Sequence, residues 1–154
     1  MERIRKKIVV IDLDGTLCDD SHREHLVIAK EYDLYHSLLR DDVPWPDVKA
    51  YLSLLGLDSG RYLTVALTAR PETYRAATHD WLIEHACFFD HVLMRGKDDF
   101  RNITEVKPEL LRMFLQEYDC SPEDVLVILE DREHMVERWR NLGYQCWQVR
   151  PGGY

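Results

Sequence analysis

The stretch Ile8-Val9-Val10-Ile11-Asp12-Leu13-Asp14-Gly15-Thr16 decides how this chain is read. Its first four residues form a short, β-branched, uninterrupted apolar run, the pattern of a strand buried on both faces. The run ends in two acids, which are costly beside a core unless they have partners or a task. Side chains at i and i+2 of a strand point the same way. Asp12 and Asp14 are therefore expected to project together from the carboxyl end of the strand, where open α/β sheets bind ligands. Gly15 supplies a tight turn. Taken alone, two acids at this spacing read equally well as a solvated turn.

The rest of the chain alternates strand and helix signals. Ser21 to Arg40 is charged and mostly helical in character, with Leu26, Val27, Tyr32, Leu34, Leu38 and Leu39 as inward candidates. Pro44-Trp45-Pro46 breaks it, and a further helix is expected over Asp47 to Leu55. Tyr62–Leu67 reads as a second strand, followed by a helix from Pro71 to about Ala86. A short strand is expected at His91–Met94, a helix opened by Pro108, and a fourth strand at Val125–Leu129. Arg132–Leu142 should be a helix and Gln145–Val149 the last strand. This order predicts an α/β fold, a mostly parallel sheet with helices on both faces. Right-handed crossovers then gather the carboxyl ends of the strands at one edge.

With 154 residues the chain suits one domain with a single core. Its hydrophobic content of 45% and charged content of 31% are globular values and argue against disorder. The four cysteines form no CxxC pair, so they are expected to be reduced thiols in a cytoplasmic protein. The basic start, Met1 to Lys7, precedes only a strand-length apolar run, too short for a signal or membrane segment. A net charge of −8 argues against broad duplex binding but leaves room for contact with a strand end.

Three further polar groups fall at or beyond strand ends: Thr68 with Arg70, Glu130 with Asp131, and Lys107. Together with Asp12 they suit phosphoryl transfer. An aspartate can form a covalent intermediate. The hard oxygens of Asp12 and Asp131 suit Mg²⁺. Lys107 and Thr68 can neutralise and hydrogen-bond phosphate oxygens. Each has an ordinary alternative. Thr68 can be a helix cap, Lys107 a surface charge, and Glu130-Asp131 a helix-start pair. Their occurrence in order, each linked to a strand, favours a site.

The series Asp12-Leu13-Asp14-Gly15-Thr16, Thr68, Lys107, Glu130-Asp131 resembles the haloacid dehalogenase (HAD) phosphatase superfamily, and the resemblance covers nearly the whole chain. Within it, the chain is similar to the 3′-phosphatase domains of phage-type polynucleotide kinase/phosphatases. That likeness rests on Arg23, eleven residues after Asp12, on Leu93-Met94-Arg95, on Glu130-Asp131-Arg132, and on the tail from Val136 to Val149. Two positions depart from the pattern: Ile103 stands where an acid usually precedes the lysine by four residues, and Glu130 replaces an aspartate.

The resemblance implies a three-layer Rossmann-like fold with a minimal cap or none. It also implies Mg²⁺ held by Asp12, the backbone carbonyl of Asp14, and Asp131, with Glu130 a candidate to hold a water. Asp12 would be the nucleophile and Asp14 the general acid and base, the latter needing a raised pKa. Thr68 and Lys107 would bind phosphate, and Arg23 and Arg70 the rest of the substrate. Arg132 is as readily structural. No GxxxxGK[ST] occurs, so a phosphatase half without a P-loop kinase is expected. Tyr32, Tyr35 and Trp45 are candidates to stack a terminal base, although an apolar core position is the commoner fate of each.

The expected substrate is a nucleic-acid 3′-phosphate, with no membrane and no obligate protein partner. A 5′(3′)-nucleotidase acting on free nucleoside monophosphates is the alternative within the same chemistry. An inactive module that grips phosphorylated ends is the alternative outside it.

Overall fold

The computed structural model of the protein describes residues 5–152. Of the basic start, residues 1–4 lie outside them. Five strands form one sheet in the order β5-β4-β1-β6-β7, and every pairing in it is parallel. They are β1 (Lys7–Ile11), β4 (Tyr62–Pro71), β5 (His91–Arg95), β6 (Val125–Arg132) and β7 (Cys146–Gly152). A separate two-stranded antiparallel ribbon pairs β2 (Cys18–Asp19) with β3 (Val43–Pro44).

The apolar alternation of β1 divides the core. Val9 and Ile11 face a layer containing α3 (Pro46–Gly56) and α4 (Arg75–Glu84), where Leu52, Leu55, Trp81 and Leu82 are buried. Ile8 and Val10 face α5 (Ile103–Glu117) and α6 (Glu133–Asn141), through Leu111, Phe114, Met135 and Trp139. Helices thus cover both faces, as a sheet with no solvated side requires. The chain builds outward from β1 on one side, then crosses to the other. β1 is therefore the switch point, and its carboxyl end opens onto the crevice between the two halves.

Several expected boundaries move. The charged segment after Asp20 is not one helix. It contains two short helices, α1 (Glu24–Ile28) and α2 (Tyr32–Ser37), then a single 3₁₀ turn at Leu39–Asp41. Of its inward candidates, Leu26 and Leu39 are buried, whereas Tyr32 and Leu34 are exposed. These elements and the β2–β3 ribbon make up the whole insertion between β1 and α3, so any cap is minimal. β4 and β6 run four and three residues past their expected ends, to Pro71 and Arg132, which carries Thr68, Arg70, Glu130 and Asp131 on strand backbone.

The largest correction is α5. It starts at Ile103, capped by the Asn102 side chain accepting from Thr104 N, and Pro108 lies inside it rather than opening it. Proline has no N–H to give the carbonyl four residues back. That carbonyl, Thr104 O, instead accepts from Arg138 Nε at 3.1 Å. The partner from α6 therefore makes an interior proline tolerable.

Candidate active site

Two charge clusters sit at the carboxyl end of β1, one around each aspartate. In the first, buried Lys107 reaches from α5 to donate to Asp12 Oδ1 at 2.8 Å and to Glu130 Oε2 at 2.9 Å. The Thr16 hydroxyl lies 3.1 Å from Asp12 Oδ2 and 3.3 Å from Asp131 Oδ1. Carboxylate oxygens of Asp12, Glu130 and Asp131 all lie within 4.8 Å of one another. Burial, and then the charge of Asp12, push the Asp131 carboxyl up to about 8; the same causes raise Glu130 well above its ordinary value.

Three buried acids with one lysine leave an excess of negative charge. Glu130 Oε1 is buried with no hydrogen-bond partner at all. A hard dication supplies what this group lacks, and an all-oxygen donor set suits Mg²⁺ rather than a soft metal. Backbone approach is also fitted to the site. Gly15 has φ +82°, and a Cβ there would come within 2.1 Å of Asp131 Oδ2. Glycine is required at this turn on both counts.

The second cluster surrounds Asp14. Its Oδ1 accepts from Arg23 Nη2 at 2.6 Å and from Arg70 Nη2 at 2.6 Å, while Arg70 Nε lies 3.1 Å from both oxygens. Arg23 then continues to Asp42, with Nε 2.8 Å from Oδ1 and Nη2 2.6 Å from Oδ2. Arg70 Nη1 donates to Thr78 Oγ1, and the backbone N–H of Arg70 donates to Thr68 Oγ1. Both guanidinium groups are fully buried. Asp14, Cys18 and Asp42 also bring ligand atoms together, but the two guanidinium groups already neutralise that pocket.

Burial alone would raise the Asp14 carboxyl. The charges of Arg70 and Arg23 override it and hold the group well below the usual carboxylate range. The expected raised value is therefore reversed in the resting site. Arg23 and Arg70, expected at the substrate, are each turned to carboxylates of this chain. Thr68 is buried with its hydroxyl on the Arg70 backbone.

A cleft of about 760 Å³ opens beside Asp14, and Tyr32, His36, Arg95, Phe100 and Arg132 are among its lining residues. Burial lowers the His36 imidazole to about 4, so it is neutral at physiological pH. Of the stacking candidates, only Tyr32 is found there exposed. Tyr35 is buried, donates to Asp20 Oδ2 at 2.5 Å and carries the Arg23 guanidinium 4.0 Å above its ring. Trp45 is covered by Arg150, 3.9 Å from its ring centre. Ile103, in place of the usual acid, lines the cleft and packs on the apolar cluster beneath α5.

Asp42, His36 and Phe100 were not singled out from the sequence. Asp42 lies in the charged run Arg40-Asp41-Asp42, which resembles a solvated turn. Its distinguishing marks are tertiary: its carboxylate accepts from Arg23 and its carbonyl from the indole N–H of buried Trp81.

The sequence and the architecture have counterparts in known proteins. The sequence matches the family described as the polynucleotide kinase PNKP phosphatase domain over residues 6–154. The chain belongs to that family. A chain in the structure of the Pnkp1/Rnl/Hen1 RNA repair complex is similar at 28% identity and a TM-score of 0.80, with 97% of this chain and 44% of that chain covered. A second structure of the Pnkp1/Rnl/Hen1 complex also shows 28% identity, with a TM-score of 0.78, and covers 100% of this chain and 49% of the other. This chain thus spans less than half of the chains it matches there. A haloacid dehalogenase-like hydrolase from Streptococcus pneumoniae shares the fold, at 17% identity and a TM-score of 0.64 over 94% of this chain and 84% of that one. The protein is accordingly a HAD phosphatase domain of the PNKP type.

Among the described residues all four cysteines are free thiols, and no helix is long and apolar enough to cross a membrane.

Proposed function

We propose that the protein is a Mg²⁺-dependent phosphomonoesterase that removes 3′-phosphates from nucleic-acid ends through an aspartyl-phosphate on Asp12. The observation that carries the chemistry is the Asp12 carboxylate lying against Lys107 with Oδ1 and against Thr16 with Oδ2. Asp12 attacks phosphorus; the bond from phosphorus to the 3′-oxygen breaks, and that oxygen takes up a proton. Water then attacks the acyl-phosphate, releasing inorganic phosphate and restoring the carboxylate.

Asp12, the Asp14 backbone carbonyl and Asp131 would hold Mg²⁺, with Glu130 on one of its waters. Bound there, Mg²⁺ would supply positive charge to the phosphate oxygens. Lys107 orients Asp12 and offers positive charge to the equatorial oxygens. Thr68 positions the Arg70 backbone, and its hydroxyl would donate to a phosphate oxygen.

Asp14 is held as an anion by Arg23 and Arg70, which weakens it as a base, so it activates the hydrolytic water only when that clamp loosens. To act as an acid in the first step it needs its proton from the arriving phosphate monoanion, or a loosening of the arginine clamp when the phosphate dianion binds. Arg23 and Arg70 are positioning residues in this account, and Asp42 orients Arg23 from behind. Proton transfer of this kind is worth roughly 10²–10⁴-fold.

The substrate assignment draws on the family, on the likeness to chains of RNA repair complexes, and on the minimal insertion after β1, which leaves room for a strand terminus. Phosphate release from 3′-phosphorylated oligonucleotides, 5′-phosphorylated oligonucleotides and 3′- and 5′-mononucleotides, with and without Mg²⁺, tests it. The 3′-phosphorylated oligonucleotides should be preferred. A strong preference for free 5′-mononucleotides would make the protein a nucleotidase, and no turnover of any of them would leave an end-binding module.

A further inference from the structure

Phe100 is 88% exposed, more than any other large apolar side chain among the described residues. It is not on a frayed segment. It sits on the loop between β5 and α5, and its two chain neighbours are pinned by one side chain. Arg95, the last residue of β5, donates from Nη1 to Asp99 O at 2.8 Å and to Arg101 O at 2.6 Å, and from Nε to Ala69 O at 3.1 Å. Arg101 folds back on the Asp99 carboxylate and also pairs with Glu109 of α5. The backbone on either side of Phe100 is thereby fixed while its ring stays in water.

A single exposed apolar ring is ordinary on a protein surface, so it is the fixed loop and the place of Phe100 on the cleft, not its exposure, that argue for a ligand covering it. Its location narrows what that is. Phe100 lines the same cleft as Asp14, together with Arg95, Lys97 and Arg132. Lys97, on the same loop, has no ion-pair partner among the described residues. A ligand that enters here meets an aromatic face and positive charge side by side, in the cleft that Asp14 also lines. A nucleotide, with a π-face and a phosphodiester one sugar apart, has the matching chemistry. A protein segment would need no catalytic cleft beside it.

We infer that Phe100 is the platform on which the terminal base of the substrate strand stacks, with Lys97 meeting the phosphate that joins it to the next nucleotide. This rests on the reading that the substrate is a 3′-phosphorylated strand end. Preorganisation by Arg95 lowers the ordering cost of binding. Aromatic stacking of this kind tolerates any base, so it would set affinity for an end without setting its sequence.

The test compares wild type, Phe100→Ala and Phe100→Trp on three substrates: a 3′-phosphorylated oligonucleotide, the same oligonucleotide with an abasic terminal nucleotide, and a small aryl phosphate. Phe100→Ala should raise KM for the base-bearing oligonucleotide about 5-fold or more beyond any change seen with the aryl phosphate, and Phe100→Trp should restore it. The abasic oligonucleotide should bind wild type as weakly as the intact one binds Phe100→Ala. Equal effects of Phe100→Ala on base-bearing and abasic ends, or no effect on either, overturn the stacking role while leaving the 3′-phosphatase reading intact; the former result points to a contact with the backbone, the latter to a protein partner on this ring. A wild-type enzyme that hydrolyses the aryl phosphate but no 3′-phosphorylated oligonucleotide overturns both.

Discussion

Lys107 Nζ lies 2.8 Å from Asp12 Oδ1, although 95 residues separate the two in sequence. The lysine comes from the second turn of α5 and the aspartate from just past β1, so the pair exists only when the helix is docked on the sheet. Fold and site are joined at this contact. Lys107 is buried, and the acids around it raise its pKa despite its burial, so it stays protonated.

Lys107→Ala should therefore damage stability as well as rate. Removing one partner of a buried ion pair typically costs about 3–5 kcal/mol, because the remaining charges are left unpaired. Denaturant unfolding should show a loss of that order and phosphate release should fall to background. A variant as stable as wild type would mean that water or a counter-ion replaces the ammonium.

Arg23→Ala is expected to lower turnover of a small aryl phosphate as severely as that of a 3′-phosphorylated oligonucleotide, because Arg23 contacts Asp14 and Asp42 rather than the nucleic acid. Arg23→Lys should recover little, since one ammonium cannot span two carboxylates as the guanidinium does. A loss confined to oligonucleotides in the kinetic comparison would return Arg23 to the substrate side of the site.

The acid cluster makes the metal-free protein sensitive to pH. Asp131 is raised from its ordinary range to about 8, and Glu130 is raised as well, so the folded state binds protons that the unfolded state releases. Stability from those protons is fully present below about pH 4 and is lost as pH rises through the folded value. Asp14, shifted the other way, loses its contribution only in acid, below that window. The Tm of metal-free protein should thus fall between about pH 5 and pH 8, and the rise on adding Mg²⁺ should be larger at the upper end. A Tm that climbs across this range in chelator, with a Mg²⁺ shift independent of pH, would contradict the assigned cluster.

Gly15→Ala places a methyl group 2.1 Å from Asp131 Oδ2 on a backbone with positive φ. Displacement of that carboxylate should abolish activity at ordinary Mg²⁺ and weaken the Mg²⁺-induced rise in Tm. Wild-type activity in this variant would show that Asp131 has room to move and is not a ligand.

Much of this site could be read from local sequence. Asp12, Asp14, Glu130 and Asp131 lie at strand ends, and strand ends are visible as apolar runs that stop at charge. The α/β alternation was equally legible. Pro108 misled because the local rule places proline at a helix start, whereas a distant residue, Arg138, takes the carbonyl it frees. For Tyr35 and Trp45, aromatic character does not say which cation will cover the ring. The Asp42–Arg23–Asp14 chain was invisible because Asp42 looks like a surface charge until the fold buries it against Arg23. Phe100 gave no signal at all, since exposure is a property of the folded loop.

The most direct test of the account is single-turnover reaction with an oligonucleotide carrying a radiolabelled 3′-phosphate, quenched in acid before hydrolysis is complete. With Mg²⁺, wild type should carry a labelled acyl-phosphate that alkali removes and that maps to Asp12. Asp12→Asn, folded by circular dichroism, should carry none and release no phosphate. Label absent from wild type during active turnover, or phosphate release by Asp12→Asn at near wild-type rate, would contradict the account.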